Sequence, residues 1–174
     1  LQLNPEYSEA FHSMSYLDLI EGDFLNGWKN YEYRWLSKKY KYKNRYNLEK
    51  DIWNGEFLDG TLLVWSEQGV GDQIYFGRFL KGMKNLAKKI IFEVDSRLVS
   101  IFKDFFLKQN INNIEVRILD SNNLYNNFDK HIPIGSLPKF FIKNKKDFEK
   151  FSNDKFIINN KEKEKISEKI KKYS

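Results

Sequence analysis

Residues 66–79, SEQGVGDQIYFGRF, gather side chains that can do chemistry around two glycines, Gly69 and Gly71. A carboxylate at a helix start can cap free backbone N–H groups, and the same N–H groups attract a phosphate or another anion. Two compatible roles are therefore open to Asp72: a helix cap, or a general base taking the proton of a hydroxyl. The N–H groups of Gly71, Asp72 and Gln73 are the candidates for holding an anion. A dinucleotide fingerprint would want a third glycine where Ile74 stands, and no carboxylate beside the phosphates. Glu93 and Asp95, closing the next apolar run, keep a nicotinamide cofactor open as an alternative. No Gly-Lys-Ser/Thr follows the glycines, so the stretch is not a Walker loop.

Other candidates surround this elbow. Glu67 and Gln68 are placed to line a cleft, although Glu67 would serve equally as the partner of a surface lysine. Arg78, further along the helix, can reach a phosphate or simply be solvated. His131 stands with Asp129 in a segment read as a loop at the same edge, where a histidine is either a substrate contact or a structural residue. The chain has no cysteine and two histidines. That removes thiolate chemistry and leaves no donor set for a structural zinc.

The elements that would position these residues follow from periodicity. TLLVW (61–65), KKIIFEV (88–94) and IEVRIL (114–119) are short apolar runs that predict strands. Between them, residues 72–86 and 96–107 repeat apolar residues at helical spacing. Strand, helix, strand, helix, strand predicts a parallel sheet with helices on its faces, its strands near 61–65, 89–94 and 114–118. The elbow then falls at the carboxyl end of the first strand, the edge where such sheets bind ligands. FDKHIPIGSLP (128–138) predicts a further short strand end and a loop, and DFEKF a further helix. Upstream, residues 6–20 and 24–36 predict two antiparallel helices broken at Gly22-Asp23, packed through Phe11, Met14, Leu17, Trp28 and Tyr31.

Composition bounds the class. Across 174 residues, 41% are hydrophobic and 17% aromatic, enough for a core. No apolar run reaches the length of a membrane span and no signal peptide opens the chain, which together with the absent cysteines predicts a cytoplasmic protein. The net charge is +6. Residues 38–50 hold six Lys or Arg against Glu49 alone; such a tyrosine-interleaved basic run can touch nucleic acid or acidic lipid, but its commoner meaning is a solvated linker. No nucleic-acid motif accompanies them. The charged end, EKEKISEKIKKYS, and the absence of a starting Met predict a fragment of a longer protein. The expected division is a helical hairpin over 1–37, a basic linker over 38–52, a Rossmann-like domain over 53–160 and the start of a helical linker over 161–174.

The hairpin resembles a tetratricopeptide repeat. Gly22-Asp23-Phe24 sits at the inter-helix turn, and Gly27, Tyr31 and Arg34 fall where that repeat has a small, an aromatic and a small residue. LQLNP resembles the close of a preceding repeat. Arg34 departs from the pattern, and Lys39 stands where the next closing proline would be, so the array is expected to end here. WNGEFLDGTLLVWSEQGVGDQIYFGRFL with FDKHIPIGSLP resembles the N-terminal half of bacterial glycosyltransferases fused to such repeats, relatives of the lipopolysaccharide heptosyltransferases. The resemblance runs from GDFLNGWKNYEYRW to SLP, and Trp53-Asn54-Gly55, the Glu67–Asp72 elbow and Ser136-Leu137-Pro138 carry it.

It implies an α/β fold of GT-B type, a Rossmann-like half preceded by a repeat-like α-hairpin, holding the acceptor. A second domain would bind the nucleotide-sugar, and no metal or other cofactor is implied. Asp72 aligns with the proposed base of those enzymes. Glu67, Gln68, Gly69, Gly71, Gln73, Arg78 and His131 become candidate substrate-binding residues. The partners implied are a nucleotide-sugar and a protein or glycan acceptor, with no nucleic acid and no stable membrane insertion. The alternative is a non-catalytic repeat scaffold with a degenerate Rossmann-like domain.

Overall fold

The computed structural model describes residues 7–37, 40, 45–47, 51–120 and 124–152. The opening LQLNP, most of the basic segment and the tail assigned to a linker helix lie outside these residues. Four strands, β1 (Leu58–Trp65), β2 (Ala87–Val94), β3 (Ile114–Ile118) and β4 (Lys130–Pro133), form one sheet in the order β3-β2-β1-β4. Every pairing is parallel, as expected: Leu63 faces Ile91 of β2 and His131 of β4, and Phe92 faces Val116 of β3. The first three strands are linked by α3 (Val70–Gly77) and α4 (Val99–Lys108). This is the α/β layering that the sequence rhythm predicted.

Leu62, Val64, Ile90, Phe92 and Val94 point to one face, where Phe76, Phe79, Phe102 and Phe106 from the helical layer close over them. Successive strand residues alternate sides, so Leu63, Trp65 and Ile91 occupy the other face. Among the described residues no α-helix contributes to the cluster on that side. Tyr46, Trp35, Tyr125 and Phe128 close it instead. Among the described residues of the basic segment, Tyr46 is not solvated: it is buried, and its hydroxyl donates to the buried Glu93 carboxylate at 3.0 Å, which Arg45 also meets at 3.2 Å.

The helix pair forms as α1 (Ser8–Glu21) and α2 (Phe24–Tyr31). Gly22 takes a left-handed φ of 87° to close α1, and Asp23 caps α2 by accepting from the Asn26 N–H at 3.1 Å. Two helical runs predicted as continuous tighten midway. The 24–36 run turns into a 3-10 helix at Glu32–Leu36, and the 72–86 run does so at Arg78–Met83. At Gly77, just before the second change, an added Cβ would collide with the Phe102 ring of α4.

The predicted hairpin interface holds in part. Trp28 and Tyr31 are buried, but Leu17 is 62% exposed. Trp28 and Tyr31 meet Phe76 of α3, with ring centroids 6.4 and 6.1 Å apart, inside the sheet's own cluster. The hairpin and the sheet thus share one core, with α5 (Pro138–Phe141) and α6 (Lys145–Ser152) packed beside it. Trp28→Ala is expected to cost about 3–5 kcal/mol of unfolding free energy, the scale for emptying an aromatic site. Chemical denaturation measures it, and a loss below about 1 kcal/mol would show that this core does not depend on the hairpin.

Candidate functional site

The elbow leaves the carboxyl end of β1, as expected, but its turn is built differently. Gln68 takes the left-handed conformation, with φ of 66°, whereas Gly69 has an ordinary φ of −82°. An added Cβ at Gly71 would meet nothing within 4 Å, and one at Gly69 only Asp72 Oδ2 at 3.5 Å. Neither glycine is demanded by local packing. Both leave the backbone open to close approach.

Asp72 is half-buried in the first turn of α3. Its Oδ2 accepts from the Gly69 N–H at 3.2 Å, the reciprocal arm of a capping box. Its capping role is thus a fact of the structure. The other carboxylate oxygen has no hydrogen-bond partner among the described residues. The Gln73 N–H already bonds the Gly69 carbonyl at 3.1 Å, so of the three N–H groups considered, those of Gly71 and Asp72 are left to offer.

Glu67 lies elsewhere than expected. It neither lines an open cleft nor meets a surface lysine; its side chain, like that of Arg34, has no exposed surface. Arg34 Nε and Nη2 grip the two Glu67 oxygens at 3.2 and 2.7 Å, a bidentate pair. The Gly135 N–H donates to Glu67 at 3.0 Å, and the Tyr40 hydroxyl donates to its other oxygen. The Arg34 guanidinium is flanked by the Tyr31 and Trp35 rings at 4.3 and 4.4 Å. Gly135 has a steric reason: a Cβ there would sit 2.6 Å from Glu67 Oε1. The network joins the hairpin, the elbow and the turn after β4.

Glu32 completes it, accepting from Arg34 Nη1 at 2.6 Å, the Ser136 hydroxyl at 2.7 Å and Lys139 at 2.7 Å. Burial alone would raise the Glu32 carboxyl, but Arg34 and Lys139 outweigh it and hold it below its ordinary value of 4.5. Burial would likewise lower Arg34, yet Glu67 and Glu32 raise it further. A carboxyl depressed on folding contributes stability above its unfolded pKa and loses it as pH falls. The stability gap between the native chain and Glu32→Gln should therefore be full above pH 4.5 and close below it. Denaturant midpoints across that range measure it, and a constant gap would refute the assignment.

The other candidates divide. Gln68 donates to the Tyr31 and Tyr40 hydroxyls, both at 2.9 Å, and remains half-buried. Gln73 is buried, its Oε1 accepting from the Asp95 N–H at 2.9 Å, so it ties α3 to β2 rather than facing a ligand. Arg78 lies over the Tyr75 ring at 4.8 Å, and its buried Nε has no hydrogen-bond partner among the described residues. His131 is not in a loop: it is a buried residue of β4. The Trp65 indole donates to its Nδ1 at 3.2 Å, so Nε2 carries the proton toward the Asn47 carbonyl at 3.1 Å. It braces the second face and does not line the elbow.

Two residues without a role in the sequence reading stand beside the elbow. His12 and Tyr16 of α1 are neighbours at 3.2 Å between Nε2 and hydroxyl, and the His12 ring meets Tyr31 edge-on. Their i, i+4 spacing was visible, but nothing local tied it to Tyr31 and, through its hydroxyl, to Gln68. The described residues contain no group of three or more His, Asp or Glu placed to hold a metal ion, and no helix long and apolar enough to cross a membrane. Comparison with protein families, with curated proteins and with solved structures yields no match.

Proposed function

We propose that this chain is the acceptor-side half of a GT-B-type glycosyltransferase that moves a sugar from a nucleotide-sugar to a protein or glycan acceptor. The carrying observation is Asp72: a half-buried carboxylate at the carboxyl edge of a parallel sheet, with one oxygen capping α3 and the other unpartnered among the described residues. In this reading the free oxygen takes the proton of the acceptor hydroxyl as that hydroxyl attacks the sugar carbon. The departing nucleoside diphosphate needs N–H or cationic groups. Gly71 and Asp72 N–H contribute there, and a second domain supplies the rest of the donor site. The helix pair closes a tetratricopeptide-like array that presents the acceptor. The test is transfer from a panel of labelled nucleotide-sugars by the longer enzyme, native and Asp72→Asn; no transfer by the native enzyme from any donor refutes the reading.

One observation favours a second reading, a repeat scaffold without chemistry. A groove of about 320 Å³ is lined by Tyr16, Ile20, Phe24, Trp28 and Phe148 among others, and Leu17 and Ile20 of α1 are 62% and 82% exposed. Such apolar surface suits a protein partner. Capture of an apolar peptide in this groove, with no sugar transfer, would select the scaffold.

A further inference from the structure

Independently of the transferase reading, we propose that the outer edge of β3 is an interface: it pairs antiparallel, about Val116, with β3 of a second copy of this chain. β3 ends the sheet, with β2 on one side and no strand on the other among the described residues. Two bonds fix the direction of its backbone groups. The Ile90 N–H donates to the Asn113 carbonyl and the Leu119 N–H to the Val94 carbonyl, both at 2.8 Å. Residues 113 and 119 thus face β2, and because the groups alternate along a strand, Glu115 and Arg117 face it too. Ile114, Val116 and Ile118 turn their N–H and C=O groups to the open side, where no hydrogen bond meets them among the described residues. Such a row of unpaired groups is a template for another strand.

The side chains say which strand. β3 reads Ile-Glu-Val-Arg-Ile, and turned antiparallel about Val116 it is its own complement. Val116 then faces Val116 of the second copy, Ile114 faces Ile118, and Glu115 faces Arg117. The first two are the hydrogen-bonded positions, which use the outward groups of 114, 116 and 118. Glu115 and Arg117 fall at the non-hydrogen-bonded positions, where side chains come closest and opposite charges attract. Both charges stand at this edge: the Glu115 side chain is 49% exposed beside Lys89, and Arg117 lies over the Tyr125 ring at 4.2 Å. Ile118, 58% exposed at the end of the strand, gains Ile114 of the second copy as its neighbour.

Other antiparallel registers lose this match. Centring the pair on Glu115 or on Arg117 sets like charges opposite each other. It also puts at the centre a residue whose backbone groups already serve β2. The contact is isologous, so it closes as a twofold dimer and does not propagate. A five-residue edge covers far less than the roughly 1,200 Å² of a stable interface, so the dimer is weak, with a dissociation constant on the order of 0.1 mM.

Sedimentation equilibrium of the full chain from about 10 µM to about 1 mM tests this, with amide hydrogen exchange at both ends of the range. The Val116 N–H should gain protection as concentration rises, whereas that of Arg117, already facing β2, should not change. Glu115→Arg and Arg117→Glu should each weaken the dimer about tenfold, since each sets like charges opposite at both symmetry-related pairs. Mixed in equal amounts, the two variants should regain about the native affinity. The new arginine of one then faces the new glutamate of the other, and native Arg117 still faces native Glu115. A misfolded variant could not be rescued by mixing. A chain that stays monomeric throughout, a dimer in which the Val116 N–H gains no protection, or variants that mixing does not restore would each overturn the proposal. So would a dimer indifferent to both substitutions, which would place the contact elsewhere, the apolar groove beside α1 included.

Discussion

Glu67→Gln is expected to lower the unfolding free energy by about 3–5 kcal/mol, because it removes the charge partner of a guanidinium with no exposed surface. Glutamine keeps the shape and one acceptor, so the loss reports charge rather than a cavity. The new amide N–H₂ would also face donors, namely Arg34, Tyr40 or Gly135, where the carboxylate accepted from all three. Glu32 still meets Arg34 but is only half-buried and is shared with Lys139 and Ser136, so it cannot replace Glu67. Adding Arg34→Met should recover part of the loss, since the stranded charge is then gone. Denaturant unfolding of the two single variants and the double variant measures this. A Glu67→Gln cost under about 1 kcal/mol, or strictly additive costs, would mean that the pair does not hold the hairpin to the elbow.

That pair also marks the limit of what the sequence discloses. Runs such as TLLVW and KKIIFEV were legible as strands because a buried parallel strand is a short, nearly continuous apolar run. Gly22-Asp23 was legible as a helix break because its capping is local. Arg34 was visible only as a departure from a repeat pattern, since besides the nearby Glu32 its partners are Glu67, 33 residues away, and the Ser136 hydroxyl, 102 residues away at 2.9 Å. Periodicity reports the face of an element and not what that face meets. The basic segment misled for a related reason. Charge counting says nothing of where the tyrosines between the lysines pack: Tyr46 joins Trp35, Tyr125 and Phe128 in closing the second face of the sheet, and Arg45 meets Glu93 beside it. His131 failed similarly: a histidine after a polar stretch reads as loop, yet its ring satisfies the Trp65 indole in the core.

The elbow itself was legible in place but not in mechanism. Two glycines stand at the elbow, yet the left-handed residue is Gln68, held there by the Tyr31 and Tyr40 hydroxyls. Neither glycine is then needed for a left-handed turn and both are exposed, the condition for a ligand to approach the N–H groups of α3. Glu67 and Gln68 therefore support the elbow, while Asp72 is the group left to act.

On the transferase reading, Asp72→Asn in a two-domain enzyme that contains this chain is the second large effect expected: turnover should fall by about 10²–10⁴-fold, the scale for losing a general base. Fold and donor binding should be unchanged. Asparagine keeps an oxygen that can accept from the Gly69 N–H, so the cap survives largely intact and costs at most a few tenths of a kcal/mol. That separates the two roles of one side chain: capping needs an acceptor, whereas proton removal needs a base. Asp72→Ala, which removes both, should add a stability loss of about 1 kcal/mol to the same drop in turnover. Turnover at saturating donor, with melting temperature followed in parallel, distinguishes the outcomes. Normal turnover in Asp72→Asn would reduce Asp72 to a cap and leave the elbow without its base. Equal turnover losses in both variants, with stability lost only in Asp72→Ala, would assign the base role to the Asp72 carboxylate independently of its capping bond to Gly69.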